Sequence, residues 1–153
     1  MKIIAALLWE GFFNFAALDK RIRYTLGKEE RLKSRKAIEL LFKTGRSFTI
    51  YPFRIVYQLD SPAESATNSI VQAGFTVSTK YFKRAVDRNY TRRLMKEAYR
   101  LQRFELEQAL SADPRRFLIF FIYIAKELPT YQVVFEKTTL VIDRLIKLAS
   151  EHK

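Results

Sequence analysis

The sequence predicts an α+β fold: one domain, ordered α-β-β-β-α-β-α, in which helices sandwich a central sheet. Three observations predict it. In residues 53–59, Phe53, Ile55, Tyr57 and Leu59 alternate with Arg54, Val56 and Gln58, the two distinguishable faces of a strand. "FLIFFIYIA" (117–125) is an unbroken apolar run of strand length, as expected of a strand buried on both faces. Three further segments, starting near Ser34, Phe82 and Thr130, space their apolar residues as helices do. A chain of 153 residues is long enough for one real core, and a 48% hydrophobic content with thirteen Phe and eight Tyr argues for a packed globule rather than a disordered polycation.

In chain order, "MKIIAALLWEGFFNFAALDK" (1–20) stands apart, with balanced charge and many Phe, Leu and Ala. It is too interrupted, by Glu10, Gly11 and Asn14, for a signal peptide or a membrane span. An amphipathic surface helix and a misassigned upstream start both stay open. The division is therefore an N-terminal extension, 1–20, and a domain, 21–153. Ser34 is placed to N-cap the first helix, Ile38, Leu41 and Phe42 form its apolar stripe, and Gly45 stands where a C′ glycine belongs. Pro52 splits the next stretch into two short strands, 47–50 and 53–59. Residues 60–68 read as a loop and 69–78 as the returning strand. The long charged helix runs from about Phe82 to Leu110 and is stopped by Asp113–Pro114. Thr130 caps a last helix with Val134, Val141, Leu145 and Leu148 as its buried stripe.

Composition excludes more functions than it admits. There is no Cys, hence no disulfide, thiolate nucleophile or thiolate metal site, which suits a cytoplasmic protein. The one His, His152, rules out a histidine pair, the carboxylates are scattered, and no glycine-rich phosphate loop occurs. A net charge of +12 points instead to an anionic partner, a polymer or a membrane surface.

That charge concentrates in "KRAVDRNYTRRLMKEAYR" (83–100). At about 100° per residue, with Arg84 at zero, Arg84, Arg88, Arg92, Arg93, Lys96, Arg100 and Arg103 fall between roughly 0° and 180°. Val86, Tyr90, Leu94, Ala98, Leu101 and Phe104 fall between roughly 200° and 320°. The expectation is one cationic half and one core half. Like charges so close repel, and a face serving only solubility would mix signs. Arg outnumbers Lys six to one there, and the guanidinium fork suits phosphate. Asn89 adds a neutral amide able to bond a phosphate, a ribose hydroxyl or a base edge, although a lone surface Asn is as often bland.

The same stretch resembles the signature of the bacterial ribonuclease P protein subunit, roughly K-x-A-V-x-R-N-R-x-K-R-x-x-R-E-x-x-R. Lys83, Ala85, Val86, Arg88, Asn89, Arg93, Glu97 and Arg100 match it, and Arg92 and Lys96 are basic substitutes. "ERLKSRKAIELLFKTGRSF" is similar to the family's first helix and its closing turn, and "GFTVSTK" to the strand that leads into the signature. Three positions depart from the pattern. Tyr90 replaces the second Arg, Ile38 stands where the family often has Phe, and "STKYFKRAV" is one residue longer than the commoner form.

The resemblance implies a left-handed β-α-β crossover in a fold like domain 2 of ribosomal protein S5. It implies a subunit of a ribonucleoprotein endonuclease, a hydrolase that removes the 5′ leader from precursor tRNA. Catalysis would reside in the RNA subunit with its Mg²⁺; the protein itself would hold no metal tightly and carry no catalytic residue. The expected partners are ribonuclease P RNA and precursor tRNA, with no membrane. By position, Lys80, Lys83, Arg84, Arg88, Asn89, Arg92, Arg93, Lys96 and Arg100 would dock the RNA subunit. Ile38, Phe42, Arg54, Val56 and Thr76 would line a cleft for the leader. The competing reading is a general basic RNA-binding protein of ribosomal type with no role in cleavage.

Overall fold

The computed structural model describes residues 25–60, 69–112 and 115–152. The extension 1–20, most of the loop 60–68 and the Asp113–Pro114 stop lie outside the described residues. Seven elements follow in the expected order: α1 (Arg35–Thr44), β1 (Arg46–Ile50), β2 (Phe53–Asp60), β3 (Val71–Val77), α2 (Ala85–Leu110), β4 (Arg116–Tyr123) and α3 (Tyr131–Glu151).

Local signals act largely as read. The Ser34 hydroxyl accepts the Ala37 N–H (3.4 Å), and the Thr130 hydroxyl accepts that of Val133 (3.4 Å). Tyr51–Pro52 separates β1 from β2. Gly45 differs from expectation: its φ is −71°, not left-handed. Glycine is needed there for space, since a Cβ would come within 2.3 Å of the Leu41 carbonyl oxygen and 3.1 Å of that of Tyr57.

The sheet order is β1-β2-β4-β3. β4 enters last and takes the centre, antiparallel to β2 and parallel to β3. That position explains its unbroken apolar run. Alternation then divides the sheet into two faces. Phe53, Ile55, Tyr57, Phe117, Ile119, Phe121 and Tyr123 point toward α2 and α3, where they meet Met95, Tyr99, Leu106, Val134, Val141 and Leu145 in the main core. The Phe121 ring stacks on Phe75 at 5.2 Å and meets Tyr99 and Phe53 edge-on. On the other face α1 covers a smaller cluster of Leu32, Leu41, Val56, Leu118 and Phe120.

The Phe117 N–H donates to the Ile70 carbonyl (2.9 Å), so its peptide groups face β3 while its side chain faces the helices. For an L-residue in an extended strand these two directions decide the side. Viewed from the helices with both strands pointing up, β3 lies to the right of β4. The chain crosses in front, through α2, from right to left: the crossover is left-handed, whereas about 98% of such connections are right-handed.

The open side of β3 is covered by the segment before α1. The Leu32 N–H donates to the Ala73 carbonyl and the Ala73 N–H to the Glu30 carbonyl, both at 3.0 Å. Arg103 of α2, itself buried, ties this segment down. It pairs with Glu30 and with Glu107 (3.3 Å) and donates to the Thr25 carbonyl (3.3 Å).

Candidate nucleic-acid interface

The expected division of α2 into a cationic half and a core half is corrected by the structure. Its buried residues are Thr91, Met95, Ala98, Tyr99, Arg103, Leu106 and Leu110. On the same wheel these occupy roughly 320° through 0° to 100°, overlapping the half assigned to cations. Val86 (68% exposed), Tyr90 and Phe104, expected in the core, face outward. The helix carries two apolar stripes, and the stripe with Met95 and Tyr99 meets the sheet and α3.

The cations consequently serve different ends. Arg103 is internal to the fold. Arg88 Nη1 donates to the carbonyls of Phe82 (2.8 Å) and Lys83 (2.7 Å), closing the turn that enters the helix. Arg100 grips Glu97 with two donors, one of them Nε at 3.0 Å, and this hydrogen bonding holds the Glu97 carboxyl below its ordinary range. Arg92 donates to Asn89 Oδ1 (3.2 Å), while its Nε is buried without a hydrogen-bond partner. Lys80, Lys83, Arg84, Asn89, Arg93 and Lys96 are exposed.

Arg93, Lys96 and Arg100 do converge. With Arg31, Thr25, Leu26 and Glu97 they line a recess of about 360 Å³ between α2 and the segment before α1. Burial first, then the charges of Arg31, Arg92 and Lys33, push the Lys96 pKa down. Such a site gains from any anion that enters it. Sequence reasoning missed Arg31 and Lys33; their signal was the "ERLK" run directly before the first helix.

The second surface lies on the α1 face of the sheet. Two rows of side chains cross all four strands there: Ser47–Val56–Phe120–Gly74, and beside it Thr49–Arg54–Ile122–Thr76. α1 covers the first row. Val56 is 5% exposed and forms the floor, and Ile38 is half-buried against the same cluster. Phe42 remains 47% exposed, with its ring edge-on to Phe120 at 5.2 Å. The Phe120 ring packs against Gly74, where a Cβ would come within 2.4 Å of it. The second row, with exposed Arg54 and half-exposed Ile122 and Thr76, borders this aromatic pair. Phe120, Ile122 and Gly74 do not stand out in the sequence, because the alternate positions of a continuous apolar run do not reveal which face is open.

Among the described residues, no group of three or more His, Cys, Asp or Glu side chains could hold a metal ion. No described helix is long and apolar enough to cross a membrane.

Comparison with known proteins bears on the family and the fold. The ribonuclease P family model matches residues 26–144. The ribonuclease P protein component of Porphyromonas gingivalis is 38% identical over 111 residues, 72% of this chain and 79% of that one. That of Chlorobaculum tepidum is 33% identical over 113 residues, 71% of this chain and 73% of that one. Among solved structures, the RNase P protein from Thermotoga maritima superposes with a TM-score of 0.56 at 24% identity, covering 75% of this chain and 96% of that one. The Staphylococcus aureus RNase P protein also gives 0.56, at 17% identity, covering 78% and 94%.

Proposed function

The chain belongs to the ribonuclease P protein family and is the protein subunit of ribonuclease P, and from that premise we propose how its two surfaces divide the work. The exposed cations of α2 and the recess of Arg31, Arg93, Lys96 and Arg100 dock the RNA subunit. Lys83 and Arg84 extend this surface at the helix entrance, and Asn89 with Arg92 adds a polar pair; Lys80, on the turn before them, lies apart at the ring of Tyr81. Arg88 contributes by holding the entrance turn. The face of Phe42, Arg54, Ile122 and Thr76, with Ile38 and Val56 beneath, receives the single-stranded leader of precursor tRNA.

The observation that carries this reading is Phe42, a large ring left nearly half exposed and propped on Phe120 beside an open row with a cation. A stacking platform of this kind accepts any base. The catalytic groups reside on the RNA subunit, with Mg²⁺ ions held there. This chain supplies charge, orientation and leader binding, and works in the cytoplasm.

Reconstitution tests the proposal: purified protein, a bacterial ribonuclease P RNA and labelled precursor tRNA at low Mg²⁺. Protein-dependent release of the leader is expected. Tight RNA binding without stimulation would instead leave a general RNA-binding protein.

A further inference from the structure

A second exposed ring, Tyr81, stands beyond the leader face at the end of the sheet where β3 and β4 exit. The turn that carries it is firmly held. The Ser78 carbonyl accepts the Phe82 N–H (3.2 Å) and the Ser78 hydroxyl accepts that of Lys80 (3.3 Å). Phe82 is buried, its ring 5.9 Å from that of Tyr123, and Arg88 clamps the carbonyls of Phe82 and Lys83. Between these anchors Tyr81 projects outward, 38% exposed.

Two ammonium groups gather on its ring. Lys80 Nζ, from the β3–α2 connection, and Lys126 Nζ, from the β4–α3 connection, each lie 5.6 Å from the ring centroid. Lys126 is positioned by a pinned loop, since the Tyr123 hydroxyl donates to the Glu127 carbonyl at 2.6 Å. Two exposed ammonium groups at one ring favour an anion that comes to either of them. A nucleotide can take the place of these weak cation–ring contacts, its base stacking on the ring as a lysine moves off to its phosphate. The place also fits: Ser78 lies four residues along β3 from Gly74, about 13 Å beyond the row on which Phe42 rests. Tyr51, 66% exposed in the β1–β2 turn, flanks the same end.

We propose that Tyr81, with Lys80 and Lys126, is a second stacking subsite for single-stranded RNA, taking a leader nucleotide other than the one on Phe42. This rests on the leader reading above. The test uses enzyme reconstituted with a bacterial ribonuclease P RNA and Tyr81→Ala, Tyr81→Phe or Phe42→Ala protein. Binding is measured for mature tRNA and for precursor tRNAs carrying one abasic nucleotide at each leader position in turn. Tyr81→Ala is expected to weaken binding of the intact precursor by about fivefold or more, and Tyr81→Phe to stay within about twofold of wild type. Mature tRNA and assembly with the RNA subunit should be unaffected. One abasic position should make Tyr81→Ala harmless, and a different one should do so for Phe42→Ala. Equal losses on mature tRNA, or weakened assembly, would overturn the proposal by placing Tyr81 against the tRNA body or the RNA subunit. Coupling of some position to Phe42 but none to Tyr81 would remove the subsite and leave the leader face standing. Coupling to neither would remove both.

Discussion

The two faces of the sheet use one alternation of residues and end in opposite states. Toward α2 and α3, two helices of 26 and 21 residues cover every strand, and Phe53, Phe117 and Phe121 are sealed. Toward α1, a ten-residue helix covers the Val56–Phe120 row and Leu118 and leaves the Arg54–Ile122–Thr76 row more open. Helix length, not strand composition, decides which face is core and which can receive a ligand. The aromatic residues show the difference: Phe121 is surrounded by rings, whereas Phe42 rests on one ring and keeps half its surface for something else.

The contrast can be broken most forcefully by truncating one ring on each face. Phe121→Ala should cost about 3–5 kcal/mol in denaturant unfolding. Phe42→Ala should cost about 1 kcal/mol or less, yet reduce affinity for precursor tRNA and not for mature tRNA. Similar stability losses would move Phe42 into the core.

Arg103 tests whether the closed side also holds the segment before α1. Arg103→Met leaves Glu30 and Glu107 facing one another. The expected loss is about 2–3 kcal/mol, below that of a fully buried pair because both carboxylates keep some solvent. Hydrogen exchange should rise first at Leu32 and Ala73, whose N–H groups pin that segment.

Gly74→Ala probes the open face from beneath. The new methyl group displaces the Phe120 ring, at about 1–3 kcal/mol, and the displacement should also lower leader affinity by disturbing the support of Phe42. A stability loss with leader binding unchanged would separate the two rings.

On α2, Arg88 and Arg93 match the same family signature but differ in surroundings. Arg93→Ala should make assembly with the RNA subunit less sensitive to salt, lowering the log–log slope by about 0.7–0.9 for each phosphate that is no longer neutralised. Arg88→Ala should in addition lower the melting temperature, because its backbone bonds close the entrance turn.

The effect confined to the narrowest pH window lies in the loop of Lys126. Burial first, then Tyr51 and Glu127, push the Tyr123 phenol up from its ordinary 10.0 to about 12. The folded protein therefore keeps this proton at a pH where the unfolded chain has released it. Stability from this group is present below pH 10.0 and is lost as the pH rises toward about 12. Alkaline melts of wild type and Tyr123→Phe should differ in that window by this slope, and parallel curves would deny it.

Much of this is legible in local sequence. Ser34, Pro52 and Thr130 act on their own neighbours, so the helix starts and the β1–β2 break can be read from the residues alone. At Gly45 the sequence points to the right residue for the wrong reason, because the constraint comes from the Tyr57 carbonyl as well as from Leu41. The periodicity of α2 misleads for a related cause. Its sequence offers two apolar stripes, one with Val86, Tyr90 and Phe104 and one with Met95, Tyr99 and Leu106, and periodicity does not rank them.

The sequence by itself determined the order of elements, the alternation that gives each strand two faces, and the basic signature that identifies the family. All of these depend on residues a few positions apart. The tertiary structure decided the rest: β4 in the centre, a left-handed crossover, Arg103 turned inward, and Arg31 brought beside Lys96. These depend on which surfaces meet across long stretches of chain, and burial on one side of a helix or sheet is settled only by what packs against it.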